Sequence, residues 1–492
     1  MSARAELNTL EASGLVQVAA FEPDLEYLFR HALVQDAAYS SLLKQDRLTL
    51  HRLAAETLLS LYPDRRRELA AVIGLHFERA GDPAAAVEHL VVAGEHALER
   101  FANREALAFF ERAEASLAPE DPRFELRLRA ALGAAKVGWT FVGPDRSIER
   151  LEQAVAVAPE ETDRPMLGDA YFWIAFLRRM RGERPDSSPA LAAAVDRAAS
   201  IGGAGGDELA QAIPTAFLAL GMMFVGHIRE GAESLERALG PITARGDRLS
   251  AAILTGLLSI GQSRLGDFAG AERTLARADD LARSGDPIAV LDAQIARSGL
   301  HIERGEIDVG EALATACAIK SEELGAVACS VAANVMAGTA HLAREDALGA
   351  KAPLERGDEL ADLSSMTQFR TLAQGMLGSV RSLLSESGLG TTEWEAALAR
   401  ALQMHDRYGE SITLWMRARA RMSATPPDHT AALVDLGAAT RLFEEMEARP
   451  SLARALRDQA HALRSLGRAA DADATARRSR AIGAQLGLKD FA

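Results

Sequence analysis

From Gly226 to Gly357 the chain alternates helix-length apolar runs with single turn residues at a nearly fixed interval. Gly226, Gly266, Gly305 and Glu345 each close one run and open the next, at steps of 40, 39 and 40 residues. A constant period of this size marks a solenoid, in which each helical unit buries its apolar face only against its neighbours. The columns around each step keep the same register. Seven residues before it stand Ala219, Ser259, Ser298 and Gly338; five after it stand Gly231, Ala271, Gly310 and Ala350; twelve after it stand Ala238, Ala278, Cys317 and Gly357. All are small, which lets two helices approach closely. Nine after the step a bulkier side chain recurs as Leu235, Leu275 and Leu354, with Ala314 in the weaker unit. The same rule fits units around Gly81 and Gly467. The expectation is an all-α fold with roughly ten helical pairs between residues 65 and 488.

These columns resemble the tetratricopeptide repeat. The best matches are Gly74-x-x-Phe77-x-x-x-Gly81-Asp82-x-x-x-Ala86-x-x-x-Leu90-x-x-Ala93 and Leu265-Gly266-Asp267-Phe268-x-x-Ala271-x-x-x-Leu275-x-x-Ala278. The usual period of that repeat is about 34 residues. A step near 40 implies longer helices or loops and a superhelix of different pitch.

Residues 1–62 follow another pattern. A helix from Ala3 to Ser13 ends at Gly14. Two short strands, Leu15–Val18 and Tyr27–Phe29, flank a turn at Pro23-Asp24. Helices follow around Leu33–Leu42 and from Asp46 to Leu61. Helix, hairpin and helix read as a partial winged-helix domain at 1–62, with the tetratricopeptide-like superhelix occupying 63–492. Asp82-Pro83, Asp121-Pro122, Ser188-Pro189 and Asp286-Pro287 set a capping side chain before a first-turn proline. Ile201 to Asp207 is a glycine-rich inter-repeat loop, and Ala424 to Asp428 is a second break.

Composition narrows the functional classes. A net charge of −14 argues against a nucleic-acid surface, which needs clustered positive potential. Aromatics at 5% suit helices packed through Ala and Leu. Cys317 and Cys329 lack histidines at ligand spacing and read as reduced packing residues. The N-terminus has no basic start and apolar run of a secretory signal. Leu209–Gly226 is free of formal charge, but its place in the repeat reads as a buried helix. A cytoplasmic protein without membrane contact is expected.

A second resemblance rests on Phe29-Arg30-His31-Ala32-Leu33-Val34-Gln35-Asp36-Ala37-Ala38-Tyr39-Ser40-Ser41-Leu42-Leu43, followed by Arg47 and His51. This run is similar to a segment of bacterial multidomain signalling ATPases. In these a P-loop ATPase domain precedes a winged helix and tetratricopeptide-like repeats. Many members carry a class III nucleotidyl cyclase domain in front; others carry a LuxR-type DNA-binding domain at the end. Phe443 to Arg454 resembles their C-terminal repeats. The resemblance implies that His31 is positioned to contact the β-phosphate of bound ADP if an ATPase domain is supplied upstream or in trans. The alternative is a structural histidine at a strand-to-helix junction.

Catalytic signatures are missing from the sequence. No lysine follows a glycine, so G-x-x-x-x-G-K-[ST] is absent and nothing here cradles phosphates. There is no H-E-x-x-H or G-x-S-x-G. His301-Ile302-Glu303 lacks the P-C-x-x-C of a deaminase. A non-enzymatic chain with no cofactor and no metal is expected. For partner recognition, Tyr171, Phe172, Trp173 and Phe176 with Arg178, Arg179 and Arg181 form the densest aromatic–arginine cluster. Tyr171, Trp173, Arg178 and Arg181 are its candidate partner-binding residues, against the alternative of core aromatics beside a solvated helix end. The expected role is an interaction or sensor scaffold of a signal-transduction ATPase system, holding a protein, peptide or small ligand in the superhelical groove. The alternative is a fragment of an ATP-binding nucleotidyl cyclase or transcriptional regulator.

Overall fold

The computed structural model describes residues 3–20, 26–118, 120–159, 164–184, 186–203, 208–244, 246, 248–283 and 285–491. The expected turn at Pro23-Asp24 and most of the glycine-rich loop before Glu208 lie outside them. The chain divides into two compact units, one of residues 1–96 with 108–121 and one of residues 97–107 with 122–492.

The first unit opens with α1 (Ala3–Ala12), strands β1 (Val16–Ala20) and β2 (Glu26–Phe29), then α2 (Ala32–Ser41) and α3 (Lys44–Leu61). The strands pair antiparallel, with Val16 opposite Phe29 and Val18 opposite Tyr27. After Pro63 the chain enters α4 (Ala70–Arg79) and α5 (Pro83–Glu99), and α6 runs from Asn103 to Ala115. Asp82 accepts from the Ala85 amide at 3.0 Å, capping α5 as its Asp-Pro pair predicts. Ile73, Phe77, Leu90 and Phe110 form the core. Gly94 is glycine because a Cβ there would stand 2.6 Å from the Phe110 ring. His51 is buried, shares a hydrogen bond with the Tyr39 hydroxyl at 3.0 Å and meets His76 Nδ1 at 2.8 Å.

Among the described residues from 122 onward, the second unit shows nine consecutive helical pairs. They are α7 (Phe124–Val142) with α8 (Pro144–Ala156), α9 (Arg164–Met180) with α10 (Pro189–Gly203), and α11 (Glu208–Phe224) with α12 (Ile228–Ala244). Next come α13 (Arg248–Leu265) with α14 (Phe268–Ala282), α15 (Pro287–Arg304) with α16 (Ile307–Leu324), and α17 (Val327–Ala343) with α18 (Ala347–Leu363). The last are α19 (Thr367–Leu383) with α20 (Ser387–Met404), α21 (Arg407–Ser423) with α22 (His429–Glu445), and α23 (Arg449–Ser465) with α24 (Ala469–Leu486).

The small columns meet inside each pair. A Cβ on Gly231 would stand 2.6 Å from the Ala219 carbonyl, and the Ser298 hydroxyl donates to the Gly310 carbonyl at 2.7 Å. Leu235, Leu275 and Leu354 are at most 1% exposed. Each contributes about 1.5–3 kcal/mol of apolar burial.

The turns need left-handed backbone. Within pairs, Gly226, Gly266, Gly305 and Glu345 have φ of 105°, 81°, 87° and 63°. Between pairs a second left-handed column runs through Gly246, Gly285, Gly325, Ser365, His405 and Glu447. Its steps are again close to 40 residues, yet half its members are not glycine. That is why the sequence pattern did not reveal it.

Successive turns of the superhelix rest on each other. Arg104 reaches the Leu324 carbonyl, 220 residues on, at 2.8 Å; Arg184 reaches the Gln403 carbonyl, 219 on, at 2.6 Å. Arg229 pairs with Glu447, 218 on, at 2.7 Å, and Ser365 donates to Asp145, 220 back, at 2.6 Å. A separation near 220 divided by a step near 40 gives about five and a half pairs per superhelical turn. Leu324, Gln403 and Met404 carry carbonyls that end helices and lack intrahelical partners. Arginines from the adjacent turn supply the donors, Arg179 doing so for Met404 at 3.3 Å.

Five of the within-pair glycines also lie at this seam. A Cβ on Gly266 would stand 2.7 Å from Leu486, one on Gly226 3.0 Å from Met446, and one on Gly182 3.1 Å from Met404. Gly143 abuts the Ser364 backbone and Gly305 abuts Asp490. Glu345 sits where the described residues offer no following turn, and there a side chain is accommodated.

Candidate ligand-binding site

Stacking of the turns encloses a bore along the inner side of the second unit. An apolar chamber of about 140 Å³ is lined from α7, α9, α11, α13, α15, α17, α19 and α21, the first helices of eight of the pairs. Trp139, Phe176, Phe224, Phe369, Met223 and Met336 form much of the wall. A 60 Å³ constriction sharing Ile260, Arg264, Met336 and Tyr408 continues it. Beyond lies a polar chamber of about 290 Å³ bounded by Glu303, Arg419, Arg454, Arg457, Asp458 and Asp490. Tyr408 borders all three spaces.

Tyr408 stands at this junction because Asp406 starts α21, accepting the Gly409 amide at 2.9 Å. The Arg264 guanidinium lies 3.7 Å from the Tyr408 ring centroid, a close cation–π contact. The Tyr408 hydroxyl donates to Glu303 at 3.1 Å. Arg454 faces Glu303 at 3.5 Å, pairs with Asp490 at 2.9 Å and donates to the Glu303 carbonyl at 3.0 Å. Burial raises the carboxyl pKa of Glu303 and of Asp406 and pushes the Tyr408 phenol up. The Arg454 and Arg264 charges partly offset this at Glu303.

Asp292 interrupts the apolar run Ile288–Ile295 and opens onto the chamber. Burial pushes its carboxyl up to about 7, and the Cys329 thiol donates to it at 3.6 Å. Cys329 and Cys317 are buried, free thiols. Burial pushes Cys317 up to about 11 and Cys329 well above the ordinary thiol range. Neither is a ready nucleophile, since the thiolate is the reactive form.

The aromatic–arginine cluster on α9 is divided by the fold. Phe176 faces the bore, whereas Trp173 is 2% exposed and packs edge-on against Phe176 at 5.5 Å. Tyr171 is half-buried. Arg178 donates to Glu152 at 2.9 Å and to Glu183 at 2.8 Å; Arg181 pairs with Asp145 at 3.1 Å and with Glu183. His31 is an exposed residue preceding α2, at the strand-to-helix junction, and makes no capping bond. Around it Leu28, Leu33 and Leu43 are 57%, 81% and 72% exposed.

Trp139, Arg264, Asp292, Gln368, Asp406 and Tyr408 were not singled out from the sequence. The readable signal was a charged residue inside an otherwise buried helix, as at Asp292 and Arg264. Their convergence depends on helices several repeats apart.

No protein-family profile matches the chain. An uncharacterised protein of Rhizobium meliloti (strain 1021) is 32% identical over 150 residues, covering 28% of this chain and 14% of that protein. The chain thus spans about a seventh of the length of that curated relative. Among solved structures, Rap protein complexed with Competence and Sporulation Factor aligns with a TM-score of 0.52 at 11% identity, over 81% of this chain and 98% of that one. A signal transduction ATPase with a tetratricopeptide-repeat sensor from Pyrococcus horikoshii aligns with a TM-score of 0.36 at 12% identity, over 94% of this chain and 67% of that one. With the paired helices and their small-residue columns, the likeness to Rap fixes the fold class. The chain is an all-α, tetratricopeptide-like solenoid superhelix. No helix among the described residues is long and apolar enough to cross a membrane.

Proposed function

We propose that this chain is a non-catalytic sensor scaffold of a bacterial, cytoplasmic signal-transduction system, and that it holds its protein, peptide or small-ligand partner in the bore. The observation that carries this reading is an apolar chamber walled by first helices and opening through Tyr408 into a polar one. Such sites are concave and mostly apolar, with a few placed polar groups. Because the turns touch at the seam, occupying the bore and loosening the stack are mechanically linked. In this reading residues 63–492 are the sensing array and residues 1–62 a partial winged helix that receives its strain.

The test is a thermal-shift screen of small molecules and short peptides on the wild type and on Ala332→Phe, which fills the apolar chamber. Hits lost in Ala332→Phe support the bore. Hits retained there but lost in Trp173→Ala/Arg178→Ala move the partner site to Tyr171, Trp173, Arg178 and Arg181, provided helicity is kept. Loss of helicity in that variant assigns Trp173 to the core.

A second reading makes the chain one part of a longer ATP-binding nucleotidyl cyclase or transcriptional regulator. It is favoured by the exposed apolar side chains around His31 and by the length of the matched relative. In-frame P-loop coding before Met1 supports it, and a stop codon with a ribosome-binding site there contradicts it. With an ATPase domain joined, His31→Ala is expected to weaken ADP binding, through loss of one charge-assisted bond.

A further inference from the structure

Arg264 brings an unpaired cation into the bore. It stands near the end of α13, borders both the apolar chamber and the constriction, and is only partly buried. Among the described residues its guanidinium makes no hydrogen bond and no ion pair, and its close partner is the Tyr408 ring, 3.7 Å away. Stacking uses the face of the guanidinium and leaves the N–H donors along its edge free. The unpartnered atoms of Trp139, Gln368 and Asp406 are sealed from solvent; no nitrogen of Arg264 is sealed in that way. The arginines of the polar chamber differ, since Arg419, Arg454 and Arg457 each have a carboxylate partner.

The carboxylates nearest Arg264 are committed elsewhere. Asp406 accepts the Gly409 amide, while Glu303 accepts the Tyr408 hydroxyl and faces Arg454. Neither comes within ion-pair distance of Arg264, and both act on it only at longer range. Burial raises both carboxyls, and pushes that of Asp292 on the chamber wall up to about 7. The negative charge that an entering anion meets is reduced accordingly.

Beside Arg264 the wall is Phe176, Phe224, Phe369, Met223 and Met336, surface that offers a ligand little hydrogen bonding. A peptide backbone there would leave its N–H and C=O groups unpaired, whereas a hydrocarbon body loses nothing. A volume near 140 Å³ matches the scale of cavities that take up one benzene-sized group, about 150 Å³.

Resting on the reading that the bore is the ligand site, we propose that its apolar chamber binds a small carboxylate with an apolar body. The body lies among Phe176, Phe224 and Phe369. The carboxylate accepts from the free edge of Arg264, which stays stacked on Tyr408. Bonds of this kind are charge-assisted, and the fork of the guanidinium matches the two carboxylate oxygens.

Calorimetric titration of the full chain with phenylacetate and hexanoate, against benzyl alcohol, hexanol and acetate, tests this. The two apolar carboxylates are expected to bind about tenfold or more tighter than the alcohols, and acetate not to bind. Arg264→Gln is expected to abolish the preference for carboxylate over alcohol. Arg264→Lys, which keeps the charge and loses the fork, is expected to fall between. Ala332→Phe is expected to abolish carboxylate binding. Should Arg264→Gln fold poorly by circular dichroism, the wild-type ranking and Arg264→Lys carry the test. No carboxylate binding, alcohols bound as tightly, acetate bound as tightly as phenylacetate, or a preference kept in Arg264→Gln overturns the proposal. If carboxylates fail while other ligands still lose binding in Ala332→Phe, the ligand class is wrong and the bore reading stands. Carboxylates bound equally by Ala332→Phe overturn both.

Discussion

Asp292 shows how one residue departs from the pattern that builds the array. Every neighbour on its helix face is chosen for burial, yet a carboxyl stands among them, held up to about 7 by desolvation. Its folded pKa lies above its unfolded value, so the folded state binds the proton more tightly. The penalty for ionised Asp292 is absent in acid, grows above the unfolded pKa and is complete once pH passes about 7. Asp292→Asn keeps an acceptor for Cys329 and removes the charge. Its melting temperature is expected to equal the wild type's near pH 4 and exceed it at pH 8, by a stability difference on the order of a few kcal/mol. An unchanged difference across that range would place the carboxyl in contact with solvent. In the sequence the residue was visible as a polar interruption, but its meaning was not. Whether an aspartate inside a helix faces a core, a bore or water depends on helices that lie distant in the chain.

At the scale of the helical pair, much was legible. Small columns, the leucine position and the caps at Asp82-Pro83, Asp286-Pro287 and Ser188-Pro189 each have a local physical cause. The cap expected at Asp121-Pro122 is not formed, because α7 begins at Phe124 with Arg123 as its uncapped N-cap. Asp286 does accept from the Ile288 amide at 2.9 Å, and Ser188 from that of Leu191 at 3.3 Å. The turns show where local reading stops. The glycines at the seam answer two demands, positive φ and contact with the following turn; Glu345, Ser385 and Gly467 meet only the first. Gly266→Ala is therefore expected to destabilise by roughly 1–3 kcal/mol, from left-handed strain and collision with Leu486. Ser385→Gly, at φ 68° and exposed, is expected to stabilise by about 0.5–1 kcal/mol. Urea unfolding of both variants checks the contrast. Equal and opposite effects of similar size would mean that the seam adds nothing beyond φ.

At the scale of the whole second unit, the controlling feature is the stack of turns. A period of 40 residues says that pairs follow one another; it does not say how many complete a turn. That number depends on the small rotation between pairs, which longer helices and the missing side chains at the seam set together. The arginines that cap helix ends across the seam are ordinary solvated charges when read one at a time. Only the recurrence of separations near 220 residues reveals their role, and no local motif carries that recurrence. The bore follows from the stack, because without contact between turns its wall would open to solvent. The contact tests most directly through the Arg229–Glu447 pair. In the double variant Arg229→Cys/Glu447→Cys, the native thiols are buried and slow to react, so a short bismaleimide reads the introduced pair alone. Rapid cross-linking within single chains is the predicted result. Cross-links formed only between chains, or none at all, would contradict a superhelix whose turns close upon each other.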